Sequence, residues 1–174
     1  GSAYPPNIEG FIELVAKGGF FFVPPEKSFA ICGGVSHGIF NAKAYGRFVV
    51  SNSDRVHFFP DISDEDLQAL KDAAHVILLP IGFGGGSNLK TAEALAAGKH
   101  VVATRTALRG FERFADAKGV RYGDDARSFR AGIMEALHAP PLKLSSAELA
   151  EREALYWDNA FAQSGLADEL RRTL

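Results

Sequence analysis

Short apolar runs alternating with segments of helical periodicity constrain this chain more than any other feature. Phe29–Cys32 ("FAIC"), "RVHFFP", "HVILLP" and "HVVAT" are each rich in β-branched, aromatic or leucine residues and bounded by glycine, proline or polar residues. Their length and composition predict strands, and "GVRY" is a further candidate. "HVILLP" and "HVVAT" carry no alternation of polar residues, as expected of strands covered on both faces.

The intervening segments read as helices. "NIEGFIELVAKGG" has apolar residues at 8, 11, 12, 14 and 15, with Asn7 as N-cap and a glycine pair at its end. "NAKAYGRF" is a second helical candidate. "DISDEDLQALKDAAH" has Ser63 as N-cap and acidic residues in its first turn, where they complement the helix dipole. A helix over Asn88–Ala97 stops at Gly98, "DARSFRAGIMEALHA" forms another, and "SSAE" at 145–148 has the form of a capping box opening a C-terminal helix. Strands alternating with helices at this spacing predict an α/β fold, a Rossmann-like parallel sheet with helices on both faces.

With 174 residues, 47% of them hydrophobic, the chain is expected to form a single domain over 1–174, ending in a helical segment at 145–174. Nineteen basic against 21 acidic side chains leave a net charge of −2, which offers no footprint for nucleic acid. A lone cysteine, Cys32, excludes an intramolecular disulfide and reads as a small buried apolar residue. No apolar run approaches the roughly 18 residues of a spanning helix, so a cytoplasmic location is expected, with peripheral contact at the inner membrane face left open. His37, His57, His75, His100 and His138 stand singly, without ligand spacing, so no metal is expected. His75 and His100 read as satisfied strand-end residues. Asp61, Asp64 and Asp66 read as loop and helix-start acids, and the lack of a Gly-Lys-Ser/Thr loop excludes a P-loop nucleotidase. "GGFFFVPP" is either core or an apolar patch.

The candidate site lies in "PIGFGGGSNLKTAEALAAG". Gly82, Gly84, Gly85 and Gly86 exceed what a turn requires, and each adds unfolded-state entropy that folding must overcome. Lys90 then opens a helix, against the sign of the helix dipole, which an anion bound over Gly84, Gly85, Gly86, Ser87 and Asn88 would reverse. Leu89, Ala92 and Ala96 share a helix face, with Glu93 on its border. Two readings of Glu93 stand: an ion pair with Lys90 at i, i+3, or a carboxylate accepting hydrogen bonds from ligand hydroxyls.

These residues, with "RVHFFPDISDEDLQALKDAAHVI" before them and "ALRGFE" after, resemble the C-terminal half of GT-B glycosyltransferases of the glycosyl transferases group 1 family. "GSAYPPNIEGFIEL" and "FAICGG" extend the resemblance, which covers roughly residues 3 to 138. It implies a domain that binds a nucleotide-diphosphate-sugar donor and transfers a hexose-type sugar to an acceptor held by an N-terminal domain. It implies no cofactor and assigns no catalytic residue here. By the same resemblance Glu93 binds the donor ribose, Lys90 lies near the diphosphate, and Phe59, Pro60, Asp61 and Ile62 contact the base, largely through backbone. The chain departs from the pattern at Gly85, eight positions before Glu93, where many such enzymes carry a glutamate for the donor sugar. Its 174 residues are expected to contain no acceptor domain, and the first, central strand of this half reads as absent or reduced to its last residues, so the chain reads as an excised piece or a shortened relative, inactive by itself.

Two alternatives remain. One is a non-catalytic module that binds a sugar nucleotide or a protein. The other is an NADP-dependent oxidoreductase, for which Gly82-x-Gly84-x-x-Ser87 lacks the third glycine of the dinucleotide fingerprint and Arg105 would meet a 2′-phosphate.

Overall fold

Two prolines open the first element. In the computed structural model, which describes residues 2–17, 23–42, 52, 54–84, 89–156, 159 and 172, helix α1 spans Pro5–Phe11 with Tyr4 at its N-cap. Proline in the first turn gives up an N–H that would lack a partner anyway and presets φ. The N-cap therefore falls at Tyr4, three residues before the expected Asn7, whose side chain is freed from capping. A π-helical turn, Ile12–Ala16, continues it and buries Leu14, Val15 and Ala16. Gly10 carries the closest packing: a Cβ there would collide with the carbonyl of Pro80, so α1 lies backbone to backbone on the chain leaving the third strand.

Strand β1 (Phe29–Cys32) runs through helix α2 (Val35–Asn41) toward β2 (Val56–Phe59), and the strands pair in parallel with Phe29 opposite Val56 and Cys32 opposite Phe59. Helix α3 (Asp64–Ala73) follows, with Ser63 accepting the Asp66 N–H as expected of its N-cap. Strands β3 (Val76–Leu79), β4 (His100–Ala103) and β5 (Val120–Tyr122) form a second parallel ladder in the order β3-β4-β5, with helix α4 (Leu89–Ala96) linking the first two. Helix α5 (Ala126–His138) starts on an Asp125 capping box, and α6 (Ser146–Glu153) on the expected box between Ser145 and Glu148.

Parallel strands flanked by helices make this the expected Rossmann-like α/β fold. Among the described residues the strands form two ladders, and none joins β1 to β3. β4 is buried along its whole length and turns alternate residues to opposite faces. Val102 packs with Phe129, Ile133 and Ala136 of α5, and with Leu14 and Val15. Val101 and Ala103 pack with Ala94 and Leu95 of α4, and with Leu108 and Phe114. β3 is half-buried over Val76–Leu78, and β1 exposes Ala30, so full coverage holds for β4 and not for the ladder edges. Cys32 is half-buried, and burial pushes its thiol above the usual range.

Most of "NAKAYGRF" and "GGFFFVPP" lies outside the described residues, though Val23 joins the core. The chain after residue 156 does so too, except for 159 and 172. His75 and His100 are satisfied at their strand ends: the His75 ring meets the Ala136 and Ala139 carbonyls at 3.0 and 3.1 Å, and His100 meets Pro140 at 2.9 Å.

Candidate functional site

The carboxyl ends of parallel strands are where open α/β sheets bind ligands. Here three segments gather at that end: the start of the chain, the loop after β3 and the loop after β4. Gly84 is the point where they meet. Its φ of +122° is a conformation that side-chain-bearing residues rarely adopt. A Cβ on it would lie 3.5 Å from both the Tyr4 ring and Pro6, an ordinary contact, so backbone conformation and not space requires this glycine. Its carbonyl accepts a hydrogen bond from Arg109 Nη1 at 2.7 Å.

Gly82 is different. No atom stands within 4 Å of a Cβ built there, and its φ lies outside the left-handed region. Among the described residues neither crowding nor backbone conformation explains the glycine, and the space before it is open. Gly85, Gly86, Ser87 and Asn88 lie outside the described residues.

Lys90 sits in the first turn of α4, half-buried, and its Nζ donates to Asn7 Oδ1 at 3.0 Å. Asn7 is held in turn, its Nδ2 donating to the Ser2 carbonyl and hydroxyl at 3.0 and 3.2 Å. Burial pushes the Lys90 ammonium below its usual pKa, and the Glu93 charge pulls the other way. Among the described residues the hydrogen-bond partner of this partly desolvated cation is a neutral amide, and Glu93 is the opposite charge that acts on it.

Glu93 does not pair with Lys90. Its carboxylate lies 3.8 Å from Lys71 Nζ on α3 and is exposed. Of the expected helix face Ala96 is buried, but Leu89 is exposed and Ala92 half-buried, and Thr91, Ala94 and Leu95 fill the buried side. Thr91 is accepted in the core because its hydroxyl donates to the Ala107 carbonyl at 2.6 Å. The loop Phe59–Ile62 stands at the end of β2, where the Phe59 carbonyl accepts the Gly33 N–H at 2.8 Å and the other three residues are exposed or half-exposed. Among the described residues no hydrogen bond or ion pair joins it to Gly84, Lys90 or Glu93.

Three contributors were not foreseen: Tyr4, Asn7 and Arg109. The proline pair before Asn7 is the signal that would have found it, since an earlier helix start leaves its amide available. Tyr4 and Arg109 meet the glycine loop only through the tertiary fold. Arg105, which an NADP enzyme would turn to a 2′-phosphate, instead lies over the Tyr122 ring at 4.9 Å and 3.7 Å from Asp124. No group of three or more His, Cys, Asp or Glu able to hold a metal occurs among the described residues. Likewise, no helix among them is long and apolar enough to cross a membrane.

A family model described as glycosyl transferases group 1 matches residues 23–139. The matched span takes in Phe59–Ile62, Gly84, Lys90, Glu93 and Arg109, and leaves α1 with Asn7 outside it. No curated protein matches the chain.

Proposed function

Since the chain belongs to the glycosyl transferases group 1 family, we propose that it is the donor-binding half of a GT-B glycosyltransferase, holding a nucleotide-diphosphate-sugar for transfer of a hexose-type unit. The acceptor is held by an N-terminal domain, and the enzyme works in the cytoplasm, with peripheral contact at the inner membrane face. This chain by itself binds the donor nucleotide without transferring sugar, and no metal or cofactor takes part.

The observation that carries this reading is Lys90. Its half-buried ammonium stands at the start of α4 with a neutral hydrogen-bond partner, beside a loop whose Gly82 is not required by the protein's own packing. A diphosphate over the glycine loop supplies countercharge beyond that of Glu93, and the α4 N-terminus adds partial positive charge to the same place. Glu93, exposed and loosely paired, is free to turn from Lys71 and accept ribose hydroxyls. Phe59, Pro60, Asp61 and Ile62 face the base.

Calorimetry with UDP, GDP and NADP tests the proposal. The parent chain is expected to bind UDP or GDP and to ignore NADP. Lys90→Ala is expected to weaken that binding by about 1 to 3 kcal/mol, the scale of one charge-assisted hydrogen bond. Equal affinity of mutant and parent would remove the phosphate role of Lys90. Binding of NADP alone would replace the transferase reading with the oxidoreductase one.

A further inference from the structure

The loop that follows β4 is built as a bracket. Thr104, at the end of that strand, donates its hydroxyl to the Ile81 carbonyl at 2.6 Å and accepts the Ala107 N–H at 3.0 Å. Leu108 N–H returns to the Thr104 carbonyl at 3.1 Å, and the Ala107 carbonyl takes the buried Thr91 hydroxyl of α4. Ala107 and Leu108 are themselves buried. Residues 104–108 are thus tied to the chain leaving β3 and to α4, the two elements that flank the glycine loop.

Arg109 extends from this bracket. Its guanidinium crosses 25 positions of sequence to donate to the Gly84 carbonyl, at the one described glycine of that loop with a left-handed backbone. Behind it, Gly110 N–H donates to Glu112 Oε1 at 2.9 Å, which closes the end of the loop. Holding a carbonyl fixes the plane of its peptide group, because the peptide bond does not rotate. A planar guanidinium on a rigid support suits that task better than a flexible ammonium.

We propose that Arg109 is a positioning residue of the anion site: anchored on the loop after β4, it holds the Gly84 carbonyl and so sets the backbone at Gly84 for a nucleoside diphosphate met by Lys90. The assignment rests on the phosphate-site reading above. It makes the loop after β4 part of the site, although Arg109 acts through Gly84 and not on the ligand.

The test is calorimetry on the full chain with UDP, GDP and the nucleosides uridine and guanosine, for the parent, Arg109→Ala and Arg109→Lys, at low and high ionic strength. Arg109→Ala is expected to bind the diphosphate roughly tenfold more weakly, because the Gly84 peptide must then be ordered on binding, with nucleoside affinity unchanged and the unfolding midpoint lowered only slightly, as for an exposed intramolecular hydrogen bond. Arg109→Lys, which keeps one donor for the Gly84 carbonyl, recovers part of the loss. The loss persists at high ionic strength, since it comes from loop geometry and not from a screened charge. A loss that vanishes with salt, or an Arg109→Ala chain that binds like the parent, overturns the assignment while leaving the phosphate site in place. A parent that binds neither diphosphate overturns both.

Discussion

The two ladders differ in how they are covered, and the residues proposed for the site are divided between them. β4 is enclosed on its two faces by α4 and α5, with a strand on each side. In the β1–β2 ladder Ala30, His57 and Phe59 are exposed, and each strand is paired on one edge among the described residues. Burial on two faces concentrates hydrophobic stabilisation on one short strand, whereas one-sided coverage leaves residues free to face a ligand. The glycine loop, Lys90 and Arg109 belong to the enclosed ladder, and Phe59–Ile62 to the open one. Under the function proposed above, the diphosphate would meet the enclosed ladder and the base the open one.

Removing a large side chain that covers β4 tests whether the enclosed ladder carries the greater share of stability. Phe129 of α5 is fully buried against the Val102 face. Phe129→Ala is expected to cost about 3 to 5 kcal/mol in a urea titration, the usual range for a buried phenylalanine whose cavity closes incompletely. Phe58 of β2 is half-buried and packs edge-on to the exposed Phe40 ring, with centroids 5.9 Å apart. Phe58→Ala should cost about 1 to 2 kcal/mol, because less apolar area is lost. Equal costs would mean that the ladders contribute alike.

The next effect is smaller and concerns how α6 closes the enclosed ladder. Arg152, 2% exposed, donates to the Lys118 carbonyl at 2.6 Å and, more weakly, to Leu95 at 3.4 Å. It thereby ties α6 to the end of α4 and to the approach to β5. Arg152→Met keeps most of the stem volume and removes the donors, so the loss should be about 1.5 to 3 kcal/mol, that of hydrogen bonds from a charged group. A change below about 0.5 kcal/mol, the range of an ordinary surface substitution, would show that α6 is an appendage and not part of this half.

Much of this was legible in the sequence for a physical reason: local rules act over a few residues. The strands "FAIC" and "HVVAT", the Ser63 cap and the box between Ser145 and Glu148 all depend on neighbours within three or four positions, and they stand where periodicity and capping put them. The family, too, was readable from the motif around Lys90 and Glu93. What failed was long-range or ambiguous. Asn7 carries a side chain that suits a cap, but the prolines before it moved the helix start, and its amide went to Lys90, 83 positions away. Alanine-rich α4 has no face that hydrophobicity alone can choose, so its orientation was decided by the Thr91 hydroxyl finding the Ala107 carbonyl. Arg109 reads as one more surface arginine until the fold lays it across Gly84.

The smallest expected effect is the one that separates fold from ligand within the enclosed half. Gly82 lies beyond β3 with open space where a Cβ would stand and without a left-handed φ. Alanine fits there with no clash, and by restricting the unfolded chain it should stabilise the protein by about 0.4 to 1 kcal/mol. The fold therefore prefers what the sequence does not carry. If a nucleoside diphosphate approaches the backbone at this point, the added methyl group stands in its way. Gly82→Ala is then expected to raise the unfolding midpoint while weakening UDP or GDP binding, the opposite signs marking a position set by the ligand at the expense of stability. Unchanged nucleotide affinity in the more stable variant would place Gly82 beyond the ligand's reach and narrow the site to Gly84, Lys90 and what lies between them in sequence.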